Sequence, residues 1–531
     1  MTEYAHDDED VAVIIGAGPG GAALALQLVR AGRKVVLLEA GPWIDPDDFV
    51  NDERIAYGQL TWTDPRRATG TWSLARDFPG SPAWMGKGVG GTALFWTGLT
   101  PRFKRHELRA ASTYGGVDGA ALSDWPLALE DLDDWYEEAE RAMGTSHRQG
   151  RPPMPANNNY KVLANGAAAM GYEHYATGPY ATNVEPYDGR PGTLQDGFCQ
   201  QGDKSRAKWN PSVSEIPKAL ATGLLDLRTG ARAVQITVGR DGLADGVVYS
   251  DGSGLHRQRA SLVSIAGNAI ETPRLLLLSA TVGHPDGLAN SSGLVGRHYM
   301  RHTTGVVYGE FPDEVHMYRG EPMAGIVNDE SRHDPSRGFV GGYYIEMIAQ
   351  GLPSFSTFMQ PGGWGSDFTS RIEAYTRTAG MWICGEDMPQ ETNRVTLSGD
   401  LTDDLGLPIP EVHYDDHPND IAMRDHAYAQ GEELFRSVGA IRTTRAPAMP
   451  SGHNLGTTRM SADPAGGVVD AFGRSHDVPN LFVSDGSIFT TGAAANPTLT
   501  IMALVLRQAD HILTTGVADR APETIREGAL R

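Results

Sequence analysis

The sequence predicts an α/β fold, in which a Rossmann-like nucleotide-binding domain is assembled from separated pieces of chain and an α+β domain is interleaved between them. Three observations carry this. A wholly apolar run, Val11-Ala12-Val13-Ile14-Ile15, leads directly into the glycine-rich turn Gly16-Ala17-Gly18-Pro19-Gly20-Gly21. A helix-like stretch, Ala22 to Ala31, follows and is stopped by Gly32, and a second apolar run, Lys34 to Leu38, completes a βαβ unit. Two further apolar runs end in turns, Leu262 to Ala266 before Gly267 and Leu481 to Val483 before Asp485, so the sheet draws on both halves of the chain.

Each piece of the turn has its own reason. Gly16 permits the tight reversal, Gly18 lets the backbone approach a pyrophosphate, and Gly21 lets the helix sit close to the strand, with Pro19 between them. The helix amino terminus then offers free N–H groups and a positive dipole end to phosphate. Glu39 closes the second strand, where a carboxylate accepts hydrogen bonds from ribose hydroxyls and disfavours a ribose phosphate. This fingerprint alone does not separate FAD from NAD. A second glycine cluster, Gly86-Lys87-Gly88-Val89-Gly90-Gly91-Thr92, allows the chain to press against a flat ring or a phosphate at Gly90 and Gly91, with Thr92 supplying a hydroxyl; a surface turn is the other reading.

The rest of the chain sets limits. Its 531 residues exceed one ordinary core, and we expect residues 1–110, 195–300 and 450–531 to form the nucleotide domain and 111–194 and 301–449 the substrate side. Asp124 to Gly144 is acidic, aromatic and helical in period, and the region from Arg301 to Val412 is rich in Gly, Pro, aromatic and β-type residues. Gly150 to Asn159 reads as a loop, either a lid or a connector. With 45 basic and 66 acidic residues the net charge is -21, which repels nucleic acid and anionic lipid. The longest apolar stretches fall well short of the ~20 residues of a bilayer helix. Met1 to Asp10 carries no export signal, so a cytoplasmic location and no membrane insertion are expected. Cys199 and Cys384 stand far apart, which supports neither a disulfide framework nor a cysteine metal site, and we expect no metal.

Near the carboxyl end, Gly452-His453-Asn454-Leu455-Gly456 is followed by Asn496-Pro497-Thr498-Leu499-Thr500. Histidine suits the acceptance of a hydroxyl proton near neutral pH, and an asparagine amide offers hydrogen bonds without titrating. A structural histidine and a helix N-cap are the plain alternatives. Pro497 is a good first helical residue, so the helix through Leu506 should start at the site with its free N–H groups.

Together the first fingerprint, the second glycine cluster and the run from His453 to Ala509 resemble the glucose-methanol-choline (GMC) oxidoreductases, and within that family the bacterial pyranose oxidases and glycoside 3-oxidases, including those acting on C-glycosides. The resemblance implies bound FAD, with His453 and Asn496 as the catalytic pair beside the flavin. It places Asp485 and Gly486 at the pyrophosphate and ribityl chain, a plain turn being the alternative. Val234, Ala266, Trp96, Thr97, Pro497 and Thr498 complete the implied cofactor contacts, with Thr97 near the flavin N(5). Where some relatives carry a histidine covalently bonded to flavin, this chain has Phe95, so the implied flavin is non-covalent. The implied reaction is oxidation of a secondary hydroxyl of a sugar or glycoside, with dioxygen or a quinone as acceptor. Alternatives are the flavoprotein subunit of a sugar-acid dehydrogenase, a non-redox flavin-containing lyase, and a nucleotide-sensing module. Tyr343, Tyr344, Phe355, Phe358 and Trp364 suit either stacking on a sugar or a core.

Overall fold

A computed structural model describes residues 2–516; Met1 and residues 517–531 of the expected nucleotide domain lie outside the described residues. In chain order, the elements that position the site begin with β1 (Ala12–Ile15), α1 (Pro19–Arg30), β2 (Val35–Glu39), α2 (Asp133–Met143), β3 (Leu225–Thr229), β4 (Arg232–Val238) and β5 (Leu262–Ile265). They continue with β6 (Thr303–Glu310), β7 (Tyr343–Met347), β8 (Thr378–Gly385), α3 (Pro418–Ser437), β9 (Arg442–Ala446), β10 (Leu481–Val483) and α4 (Thr498–Thr515).

The expected parallel sheet is present, in the order β10-β5-β1-β2-β3. All four residues of β1 are buried, as the unbroken apolar run requires of a central strand. Its last residue, Ile15, pairs with Leu38 on β2 and Ile265 on β5, so three strands end level at one crevice. On one face α1 and α4 pack against each other. Helix α1 starts at Pro19, three residues before the start read from sequence. The reason is packing: a Cβ on Gly20 would fall 1.8 Å from the Ser484 carbonyl oxygen, and one on Gly21 would fall 2.0 Å from that of Gly16. Those glycines are the first helical turn, drawn tight against the strand ends.

The second sheet is antiparallel in its main body, β9-β6-β8-β7, extended by Ile326–Val327 and Tyr175–Ala176, and α3 lies across β6. Helix α2 is shorter than the stretch read as helical, because Leu129–Leu132 forms a 3₁₀ turn before it. Its buried stripe, Tyr136, Ala139 and Met143, rests on α4, and the Tyr136 and Thr500 hydroxyls are 2.8 Å apart. No helix among the described residues is long and apolar enough to cross a membrane.

Candidate active site

One cavity runs from the amino end of α1 to the amino end of α4. At its first end Gly16 turns the chain with φ of +101°, and a Cβ there would meet the Ala266 carbonyl oxygen at 2.4 Å. Gly18 caps α1 without a side-chain bond, and the first turn holds no acidic residue, so its N–H groups face the cavity open to an anion. The Glu39 carboxylate accepts from the N–H groups of Ala17 (2.9 Å) and Gly41 (2.8 Å) while lining the cavity. Burial raises its pKa and these backbone donors oppose the rise. Each oxygen keeps capacity for a further donor such as a ribose hydroxyl.

The second glycine cluster does something the sequence did not reveal: it clasps the first. The Gly90 N–H donates to Ala17 O at 2.9 Å, and a Cβ on Gly91 (φ +56°) would sit 2.9 Å from the Gly18 Cα. Gly91 and Thr92 line the cavity, whereas Gly90 holds the clasp behind them. Pro19, Trp96, Thr97, Ala266, Asp485, Gly486, Pro497 and Thr498 also line it. Gly21 and Val234 do not. Gly21 is the close-packing position, and Val234 falls in a register shift of β4, leaving Ala231, Arg232 and Ala233 on the wall. The Asp485 carboxylate is spent on the protein itself, accepting from Asn268 N–H (2.8 Å), the Thr272 hydroxyl (2.6 Å) and Ser487 N–H (2.8 Å). It ties the end of β10 to the chain after β5. Pro497 is the residue before α4 and not its first helical residue.

At the far end His453 and Asn496 meet. The His453 Nε2 lies 3.4 Å from Asn496 Nδ2, and both residues line the cavity. Burial, and then the neighbouring His302 and Arg301, hold the His453 pKa well below the usual histidine value, so the ring is neutral and able to take a proton. The Asn496 Oδ1 is buried without a hydrogen-bond partner. The cavity aromatics are Tyr57, Trp62, Trp84, Phe95, Trp96 and Trp382, with the Trp382 ring 5.5 Å from that of His453. The aromatics considered for sugar stacking lie elsewhere: Tyr343, Tyr344, Phe355 and Phe358 are buried, Trp364 is 87% exposed, and none lines the cavity. Gly150 to Asn159 is likewise off its wall.

Three groups beside the pair escaped the sequence reading. His302 Nδ1 is 3.0 Å from His453 Nδ1, and Cys384 Sγ is 3.1 Å from that His302 nitrogen. Both cysteines are free and buried, and burial pushes their thiols up. Glu346, on β7, is wholly buried, and neither carboxyl oxygen makes a hydrogen bond of good geometry. Burial pushes its pKa up to about 8, against a smaller opposing effect of the Asn496 amide. The available signal was an acid inside the apolar run Tyr343-Tyr344-Ile345-Glu346-Met347.

A raised carboxyl pKa has a definite sign. Below the ordinary value of 4.5 both folded and unfolded chains carry the proton and there is no penalty; between 4.5 and about 8 only the unfolded chain ionises, and stability falls. E346Q is therefore expected to gain on the wild type as pH rises through that window, by up to about 5 kcal/mol, and to hold a constant lead above it. Thermal midpoints of the two proteins across the window measure this; a pH-independent difference would refute the buried neutral acid.

Residues 77–304 match the family model described as GMC oxidoreductase, residues 389–504 match a second one with the same description, and residues 14–78 match a NAD(P)-binding Rossmann-like domain. The chain is 34% identical to 2-methyl-1,2-propanediol dehydrogenase of Mycolicibacterium austroafricanum, over 95% of each chain. It belongs to the GMC oxidoreductase family. Other GMC relatives include paromamine 6'-oxidase of Streptomyces fradiae, 30% identical over 96% of this chain and 92% of that one. The C-glycoside 3-oxidase of Microbacterium trichothecenolyticum is 27% identical over 96% and 98%. A crystal structure of pyridoxine 4-oxidase from Mesorbium loti superposes with a TM-score of 0.68 at 18% identity, covering 95% of this chain and 99% of that one, which establishes the shared fold.

Proposed function

We propose that this GMC oxidoreductase binds FAD non-covalently and oxidises a secondary hydroxyl, at C-2 or C-3, of a sugar or glycoside to the keto sugar, returning its electrons to dioxygen or a quinone-type acceptor. The observation that carries the proposal is the placement of His453 Nε2 and Asn496 Nδ2, 3.4 Å apart, on the cavity that also receives the amino ends of α1 and α4.

The residues present suit the cofactor. The uncapped start of α1 takes a pyrophosphate, Glu39 the adenosine ribose, and Gly91, Thr92, Trp96 and Thr97 the ring-side wall. Gly16, Gly18 and Gly21 allow the close approach, and Ala266, Asp485 and Gly486 shape the floor. Phe95 lines the wall with no atom able to bond to a flavin. The flavin supplies the two-electron acceptor for the hydride.

The chain's own residues do the rest. His453, neutral and half-buried on the cavity wall, takes the hydroxyl proton. The Asn496 amide donates to the same oxygen, and its unpartnered Oδ1 is free to accept from a neighbouring substrate hydroxyl. The hydride leaves the carbinol carbon as its C=O bond forms, and that bond forms as the hydroxyl proton passes to His453, so the two transfers are coupled through His453. The start of α4, with Pro497 and Thr498 on the wall, favours negative charge next to it. The sugar class is supported by similarity to paromamine 6'-oxidase and C-glycoside 3-oxidase. The division into nucleotide and substrate domains follows the segments named above, with the His453 side at their junction.

A dehydrogenase reading has its own support in the 34% identity to a diol dehydrogenase. One experiment separates the readings. The purified protein is expected to show flavin absorbance that bleaches anaerobically with glucose or with an O- or C-glycoside and returns in air. Absence of flavin bands overturns the proposal, bleaching without recovery in air favours the dehydrogenase, and no bleaching with any sugar or alcohol favours the lyase.

A further inference from the structure

The geometry points to His302 as the residue that sets which ring nitrogen of His453 carries the proton, leaving Nε2 bare to act as the base. The inference rests on the reading of His453 given above and extends it to a residue outside the cavity wall.

The argument follows the protons outward from a group of fixed polarity. The Gly492 carbonyl oxygen only accepts, and it lies 2.9 Å from His302 Nε2. That nitrogen therefore carries a proton. His302 is fully buried and its pKa is lowered chiefly by burial, with Asp387 opposing, so its ring is neutral and its Nδ1 is bare. This bare Nδ1 faces His453 Nδ1 at 3.0 Å. Two bare nitrogens do not approach to that distance without a proton between them, and His302 has none to give. The proton belongs to His453 Nδ1, and a neutral His453 is then left with a lone pair on Nε2, the nitrogen beside Asn496.

Two further facts accompany the contact. His302 holds φ of +67°, a left-handed backbone conformation uncommon outside glycine, which costs free energy. The ring centroids of His302 and His453 are 4.9 Å apart with the planes at 75°, so the rings do not stack, and the two Nδ1 atoms face each other at 3.0 Å. Cys384 completes the enclosure, 3.1 Å from His302 Nδ1 and 3.9 Å from His453 Nδ1, as a neutral thiol and weak competing donor. The cluster resembles a cation site in composition. However, a tetrahedral zinc at ~2.0–2.1 Å from each nitrogen would hold them ~3.4 Å apart, whereas 3.0 Å is a hydrogen-bond length. His302 is thus a positioning residue, acting through His453.

The test reads the tautomer directly. In protein labelled at the histidine nitrogens, long-range nitrogen–proton correlation spectra, with the His453 signals assigned by their loss in H453Q, are expected to show His453 protonated at Nδ1 and bare at Nε2 near neutral pH. H302L removes the acceptor and is expected to move the proton to Nε2 and to slow sugar-driven flavin reduction about a hundredfold. H302N places an amide oxygen where Nδ1 stood; it should keep the wild-type tautomer and a rate within about tenfold of wild type. A wild-type His453 protonated at Nε2 overturns the inference whatever the variants do, as do equal losses in H302L and H302N. The spectra need no turnover, so they decide the inference even if sugar oxidation itself is refuted.

Discussion

Replacing His453 by Ala is expected to slow flavin reduction by sugar on the order of 10²–10⁴-fold, the usual contribution of a positioned general base, with the flavin still bound. The loss falls on the chemical step because His453 is one of two polar side chains that meet at the α4 end of the cavity, and Asn496 has no titratable nitrogen to replace it. Rapid-mixing measurement of flavin bleaching under anaerobic conditions isolates that step from reoxidation. Reduction near the wild-type rate at neutral pH would remove His453 from the role. The depressed pKa of the ring also means that it stays unprotonated well below neutrality, so activity should not fall as pH drops through the ordinary histidine range.

The second large effect is expected at Gly21. Alanine favours a helix over glycine by about 1 kcal/mol, so G21A would stabilise α1 if propensity decided. It does not decide here. The new Cβ would sit 2.0 Å from the Gly16 carbonyl oxygen and 3.2 Å from the Ala266 Cβ, and a backbone carbonyl in the nucleotide turn cannot move aside as a flexible side chain can. Relief requires α1 to shift away from β1 and β5, at a cost of about 1–3 kcal/mol or more, and the shift opens the turn and the Gly91 contact behind it. G21A should purify with little flavin and melt at lower temperature. Gly58, also helical, has nothing within 4 Å of its Cβ position, so G58A should be neutral or mildly stabilising and retain flavin. Full flavin content in G21A would refute the close-packing account.

These two residues also mark how far the sequence could be read. Gly16, Gly18, Gly21 and Glu39 were legible because their roles follow from local order along the chain: a buried strand, a turn that needs no side chains, a helix start and an acid at the next strand end. His453 and Asn496 were legible as a pair only through resemblance, since neither position announces the other. The same limit explains the misplacements. Val234 was expected on the wall, but a register shift in β4 gives that place to Ala233. Tyr343, Tyr344, Phe355 and Phe358 turned out to be core, and the rings on the cavity came from Tyr57, Trp62, Trp84, Phe95, Trp96 and Trp382, most of them in loops whose course composition does not predict.

What the sequence by itself determined is the nucleotide half of this protein: the βαβ unit, the strand ends drawn from three distant stretches, and the open helix terminus. Periodicity and glycine placement are local, and local steric rules are enough to read them. Only the tertiary structure decided the surroundings of His453 and Asn496. Glu346, His302 and Cys384 lie on three different strands of the antiparallel sheet or at their ends, and they reach Asn496 and His453 only when that sheet packs against the distant segments that carry those two residues. Their protonation depends on burial, which no stretch of sequence contains, because the water each group loses is displaced by residues far away in the chain.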